Sequence, residues 1–278
     1  MARILDILPS FETYAKKVFV DTPFMRAAKW KELYESAHPE VWAAFYAGQP
    51  GDEGRSAVAQ EMSIVRDRVA AGGPALHRLI EDVEPLVRGA LGLAPTPDPL
   101  HVLMVGPYSI NVLVAPFGDD VALFHCVEWF QSEEGSRVLV AHEDTHAWHR
   151  LVLGGAPPAG DAAWTAFSEG LATRVSRQVV PGTDEADYFW FGHEGFEDWL
   201  PWCEEHRGEL LGRFRDELDE PGTDDAFFGA GLVEKRWRVG YYLADLLVGA
   251  IDLPLPELVV LGVDDARAAL RESLQRTS

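Results

Sequence analysis

Cysteine is nearly absent: the 278 residues hold two, Cys126 and Cys203. Two cysteines cannot build a disulfide framework, and no C-x-x-C pair is present to hold zinc through thiolates. Cys126 lies in an apolar run and reads as a buried structural thiol. No run of about 18 apolar residues occurs, the length a helix needs to cross a bilayer, so no transmembrane helix and no membrane partner are expected. The first twenty residues lack the basic start, unbroken apolar stretch and small-residue cleavage site of a secretory leader, and a cytoplasmic address is expected by default. Positive charge is also in deficit. The 24 Lys and Arg stand against 45 Asp and Glu, a formal net charge of −21, with only five lysines among the cations. Such a chain repels a phosphate backbone, so nucleic acid is not expected as a partner, and the excess reads as a solvated acidic surface.

What is present suits a folded globule. Hydrophobic residues make up 47% of the chain and aromatics 11%, which excludes wholesale disorder and allows one large domain or two intimate lobes. Residues 10–90 read as helical. Val41, Trp42, Phe45 and Tyr46 form one cluster at helical spacing, and Leu76, Leu79, Ile80 and Val83 another. Residues 47–54 and the Ala71-Gly-Gly-Pro74 stretch read as loops, and Pro95-Thr-Pro-Asp-Pro99 ends the segment. Three short β-rich runs follow, at 101–106, 111–115 and 121–127, split by Gly, Pro and Asp, and predict a small, mainly antiparallel sheet.

Helix returns at 133–153, with Ser132 as N-cap and Gly154-Gly155 as the stop. Residues 156–160 read as loop, and a second helix runs from Asp161, its cap, to Val179. Aromatics crowd residues 184–204 and read as packing. Further helical segments are predicted near 204–219, 232–250 and 264–275. The expected fold class is α+β, mostly helical. A helical N-terminal lobe covers 1–100. Residues 101–278 form the second region: a sheet at 101–127, the helix at 133–153 and a helical C-terminal lobe at 161–278.

The stretch Ala141-His-Glu-Asp-Thr-His-Ala-Trp-His149 carries the chemistry. It contains H-E-x-x-H at His142, Glu143 and His146. On a helix, positions i and i+4 share a face, so both imidazoles can reach one Zn²⁺. Glu143 is rotated by about 100° and stands beside the ion, where it suits the role of general base toward activated water. Two histidines leave a catalytic zinc site short of one ligand. Glu169, in Ser168-Glu-Gly-Leu-Ala172, is one candidate. His149, on the same face as His142, is another, with His193 and Glu194 as weaker ones. Gly170 and Ala172 would let the second helix approach the first closely.

H-E-x-x-H followed by E-G-L-A resembles the gluzincin group of zinc metallopeptidases. More narrowly, it resembles a bacterial family of predicted zinc-dependent proteases whose domain has no assigned function. The resemblance spans about residues 120–250. It implies a zincin-like fold, His142, His146 and Glu169 as zinc ligands, Glu143 as base, and a strand at 121–127 able to pair with an extended peptide. One position departs from the pattern: where gluzincins carry an acidic residue four places after the ligand Glu, this chain has Thr173. Another group must therefore accept the remaining imidazole N–H, with Asp144 or a backbone carbonyl as candidates. Arg236-Trp-Arg-Val-Gly-Tyr-Tyr-Leu243 resembles a segment found late in the same family. Tyr241 or Tyr242 could stabilise an oxyanion there, and Arg236 or Arg238 could bind a substrate carboxylate. The expected function is that of a zinc metallopeptidase acting on a peptide or protein substrate. The alternatives are a zinc hydrolase of a small amide or ester, or a catalytically silent zincin-like binding module.

Overall fold

A computed structural model describes residues 2–48, 54–94, 98–155 and 158–277. The expected loops at 47–54, 95–99 and 156–160 fall partly outside these, at 49–53, 95–97 and 156–157. The strands are β1 (Arg3–Asp6), β2 (Leu100–Met104), β3 (Val112–Phe117) and β4 (Asp120–Cys126). The helices before the sheet's later strands are α1 (Leu8–Lys17), α2 (Pro23–Leu33), α3 (Pro39–Ala47), α4 (Arg55–Gln60) and α5 (Met62–Ala90). After β4 come α6 (Glu133–Leu153), α7 (Ala162–Val179), α8 (Asp187–Trp190), α9 (Trp199–Glu205) and α10 (Arg207–Glu217). The last are α11 (Thr223–Phe228), α12 (Val239–Gly249), α13 (Leu255–Leu258) and α14 (Val263–Thr277). The fold is mostly helical α+β with one small sheet.

The chain forms two compact units, one of Met1–Glu84 with Pro95–Ser136 and one of Pro85–Ala94 with Arg137–Ser278. The division differs from the expected split at residue 100, because the strands pack with the N-terminal helices: α1 lies against β2 and α3 against β3.

The sheet of the first unit is mixed, not mainly antiparallel. Its order is β1-β2-β4-β3; β1/β2 and β2/β4 are parallel and only β3/β4 is an antiparallel hairpin. Parallel neighbours need a crossover, and α1–α5 supply the one from β1 to β2. β1 was not foreseen because Arg3-Ile-Leu-Asp6 is four residues long and sits far in sequence from its partner. A second correction concerns Gly72-Gly73-Pro74. No loop forms there; α5 runs straight through. A Cβ on Gly72 would lie 2.6 Å from the Phe130 ring, and one on Gly73 2.9 Å from Leu8 Cδ1. These glycines let the helix approach its neighbours and do not mark a turn. An aromatic core of Phe11, Tyr14, Trp30, Tyr34, Trp42 and Phe45 fills this unit.

The second unit is built on α7 and α12. A Cβ on Gly170 would stand 2.3 Å from the Ala244 carbonyl oxygen, so only glycine permits this approach. The expected role of Gly170 is thereby corrected: it meets α12 and not α6. One residue along a helix turns by about 100°, so Glu169 and its neighbour Gly170 address different partners. The boundaries of α6 and α7 agree with the reading of their signals. Ser132 Oγ accepts from Gly135 N at 3.1 Å, and Asp161 Oδ1 accepts from Trp164 N at 2.8 Å. Gly154 takes the left-handed conformation, φ 66°, that ends α6. The predicted helix at 232–250 starts later, at Val239, because Glu234, Lys235 and Arg238 have positive φ.

Candidate metal centre

Helix α6 presents His142 and His146 one turn apart, and α7 brings Glu169 to them. His142 Nε2 lies 3.2 Å from His146 Nε2 and 2.9 Å from Glu169 Oε2; His146 Nε2 lies 3.4 Å from the same oxygen. Ligand atoms on a tetrahedral zinc at 2.0–2.1 Å stand roughly 3.3 Å apart, so the three edges match one face of such a site. Among the described residues this is the group of His, Cys, Asp and Glu side chains that converges closely enough to hold an ion.

The electrostatics come from one carboxylate among imidazoles. Burial works against the charged form of Glu169. The charge of His146 and hydrogen bonds from both histidines outweigh it and hold the carboxyl well below its usual range. Burial also opposes a charge on His146, but Glu169 wins and lifts it to about 9. His142, 2% exposed, is lowered by burial, with Glu169 offsetting only part of the effect. Protein groups thus keep a proton where a cation would sit, and a bound metal would displace it.

The orientation of His146 is set by Ser168, whose Oγ lies 3.1 Å from Nδ1. This is the acceptor that Thr173 does not supply: Thr173 Oγ1 donates to the Glu169 carbonyl one turn back, at 2.9 Å. Neither expected acceptor, Asp144 nor a backbone carbonyl, is the group at His146 Nδ1. Ser168 directly precedes the E-G-L-A stretch, and that position beside the candidate ligand was the available signal. His142 Nδ1 is buried and makes no hydrogen bond among the described residues.

Glu143 stands beside the triangle. Burial raises its carboxyl to about 7, with His146 and Arg238 pulling down and Glu169 pushing up. Tyr241 and Tyr242 part company. The Tyr241 ring centroid is 6.4 Å from that of His142, and its hydroxyl is raised by burial and then by Glu169. The Tyr242 hydroxyl is raised by burial and senses Arg207, Glu204, Cys203 and Asp245, none of them a member of the triangle. His149 packs on Trp164 and Phe167, ring centroids 5.1 and 6.0 Å away, and is no part of the converging group; nor are His193 and Glu194. Arg236 pairs with Asp198 at 2.9 Å and lies over Trp202.

Arg238 is the cation at the site. Its guanidinium sits 4.0 Å from the Tyr241 ring centroid, 5.4 Å from that of Trp190 and 5.6 Å from that of Phe191. Its charge reaches His142 and Glu143. Phe191 packs edge-on against His142 at 5.3 Å. Phe191 and Arg238 both hold left-handed backbone, φ 55° and 59°, a costly conformation for side chains of this size. Phe191 packs on His142 and Arg238 packs on Phe191, so two neighbouring strained residues mark a place where packing overrides local preference.

No protein-family model matches the chain, and no solved structure matches it. One curated protein is similar: human diphosphoinositol polyphosphate phosphohydrolase 3-alpha, 31% identical over 98 residues. The match covers 33% of this chain and 58% of that protein's length, so the chain spans less than two thirds of the relative it matches. This finding overturns the expected zinc metallopeptidase function: the relative is a phosphohydrolase, a hydrolase of a different class. The amide or ester hydrolase and the silent binding module gain no support from it.

Proposed function

We propose that the chain is a zinc-dependent hydrolase of a phosphorus–oxygen bond in an anionic substrate. The observation that carries the metal assignment is the triangle of His142 Nε2, His146 Nε2 and Glu169 Oε2, with edges of 3.2, 2.9 and 3.4 Å. Support for the scissile bond comes from the phosphohydrolase relative and from Arg238, a cation held beside the triangle in a chain of net charge −21.

Zinc held by these three ligands would supply a Lewis-acidic charge that lowers the pKa of water to about 7. Glu143, beside the ligands, accepts the proton of the attacking water on its carboxylate and returns it to the leaving oxygen. Arg238 binds the anionic group of the substrate and orients it, and its planar fork suits a phosphate. Tyr241, kept protonated by burial, donates its O–H to developing negative charge. Ser168 holds His146 in the tautomer that leaves Nε2 free for the ion. The ligand set is of the gluzincin type; the peptidase activity of that group is not part of the proposal.

Two measurements test the two halves separately. Metal analysis of the purified chain should find one zinc per molecule, removed by chelation, and an absence of zinc after reloading would sink the ligand assignment. Phosphate release from polyphosphorylated polyols and phosphoanhydrides should then be chelator-sensitive. Arg238→Ala should raise KM about 10-fold or more, the loss of one charge-assisted contact. A zinc-loaded protein that releases no phosphate from any of them would remove the scissile bond and leave the metal site standing.

A further inference from the structure

The corner between α1 and α2 exposes side chains that a water-facing surface ordinarily avoids. Phe19 is 64% exposed, Val20 90%, Phe24 79% and Met25 42%. They follow one another within seven residues, so they form a patch and not scattered single exposures. The backbone beneath is fixed. Arg26 donates through its guanidinium to the carbonyls of Val18 at 3.3 Å, Phe19 at 3.0 Å and Ala59 at 3.2 Å. Tyr14 Oη donates to the Arg26 carbonyl at 2.8 Å, Asp21 N to Val18 O at 3.0 Å, and Thr22 Oγ1 caps α2 by accepting from Met25 N at 3.4 Å. A tied-down corner keeps two phenylalanines in water when a short rearrangement of a loose loop would have hidden them.

The charge around this corner is the reverse of the chain's own. Four of the five lysines, Lys16, Lys17, Lys29 and Lys31, lie within sixteen residues of one another. Between residues 12 and 32 five cationic side chains stand against three acidic ones, in a protein of net charge −21. Lys16 and Lys17 end α1 and are exposed, with Val18 between them and Phe19. Lys29 is paired with Asp21 at 2.7 Å. At physiological salt the field of the distant acidic surface decays over about 8 Å, so an approaching surface senses this local positive charge first.

We propose that the 16–25 corner is a membrane-surface contact that inserts Phe19, Val20, Phe24 and Met25 among the headgroups of an anionic bilayer, with Lys16 and Lys17 against the lipid phosphates. Apolar side chains that project from a rigid corner, flanked by lysines, fit a deformable interface where aromatic side chains and cations act together. The expectation of no membrane partner rests on the absence of a spanning segment, and no described helix is long and apolar enough to cross a membrane. A surface contact is a different mode of association, and it is independent of the hydrolase reading.

The test is co-flotation of the full chain with phosphatidylcholine vesicles, with and without phosphatidylserine. The wild-type chain should float with the anionic vesicles and be released by added salt. The double variants Phe19→Ser with Phe24→Ser and Lys16→Glu with Lys17→Glu should each lose about 10-fold or more in partitioning. All these residues are exposed, so circular dichroism and thermal midpoints should match wild type. Equal flotation with phosphatidylcholine alone would overturn the anionic-lipid assignment. No flotation of wild type, or no effect of the phenylalanine variants, would overturn the contact itself. A concentration-dependent dimer abolished by those same variants would assign the patch to a second copy of the chain and would also overturn it.

Discussion

Among the described residues two pairs of histidines touch, one in each unit, and one imidazole of the second pair departs from the other three. His101 and His125 come from neighbouring strands, with Nδ1 of one 3.0 Å from Nε2 of the other and the rings stacked at 16°. His142 and His146 come from consecutive turns of one helix, with Nε2 atoms 3.2 Å apart and rings at 76°. Burial lowers both members of the first pair, His125 to about 3. In the second pair the carboxylate of Glu169 raises His146 to about 9. Close imidazoles alone therefore do not make an ion site. Stacked rings on a sheet share one hydrogen bond. Crossed rings on a helix turn two nitrogens toward a common point, and a carboxylate from α7 supplies the negative charge that a cation needs there.

The sharpest way to break the contrast is Glu169→Gln, which leaves the second pair with no anionic ligand. Zinc affinity should fall by more than the roughly 10- to 100-fold that loss of an outer partner costs. In the metal-free protein the titration of His146, followed by NMR, should drop from about 9 toward the acid side, since burial is then opposed only by the charge of Glu143. Unchanged zinc binding would mean that the carboxylate is not a ligand.

Glu143→Gln should spare the ion and remove the base. Hydrolysis should fall by about 10²- to 10⁴-fold with one zinc retained per chain, measured by metal analysis and phosphate release on the same sample. A variant that keeps full activity would take Glu143 out of the chemistry. Ser168→Ala frees His146 Nδ1, and zinc affinity should weaken by about 10-fold by competition with a chelating dye. No change would reduce the 3.1 Å contact to packing.

The smallest effect concerns the sheet pair. Its histidines have folded-state pKa values below their unfolded ones, so the unfolded chain binds more protons as pH falls. The stability they contribute is fully present above about 6.5 and is lost progressively toward about 3. From about pH 7 to about pH 6 the loss should be roughly 1 kcal/mol, read from urea midpoints. His125→Leu should flatten that slope; a slope as steep as wild type would acquit the pair.

The helical site was largely legible because its signals are local. H-E-x-x-H needs only the 3.6-residue period, and Ser132, Asp161 and Gly154 mark ends by the backbone groups they satisfy. Glu169 could be picked out as a candidate ligand, because its context resembles a known pattern. Less local relations stayed hidden. The parallel pairing of β1 depends on a partner nearly a hundred residues away, and the His101–His125 pair depends on that sheet's register. The choice between Tyr241 and Tyr242 turns on the rotation of α12, and the placement of Arg238 on a left-handed residue that no propensity anticipates. Gly72 and Gly73 misled for a related reason: an absent side chain serves a close approach as well as a turn.

Gly170 carries a consequence for the order of assembly. The space beside it is filled by the Ala244 carbonyl, so α7 and α12 can meet in essentially one rotation. Glu169 is the adjacent residue, and its direction is fixed by that meeting. On the proposed ligand set, full affinity for an ion would require α12 to have docked, whereas α6 alone brings the two histidines together. Metal uptake would then come late in folding and report on it: a nascent chain that ends before residue 239 would carry the H-E-x-x-H helix, yet would hold the ion only loosely.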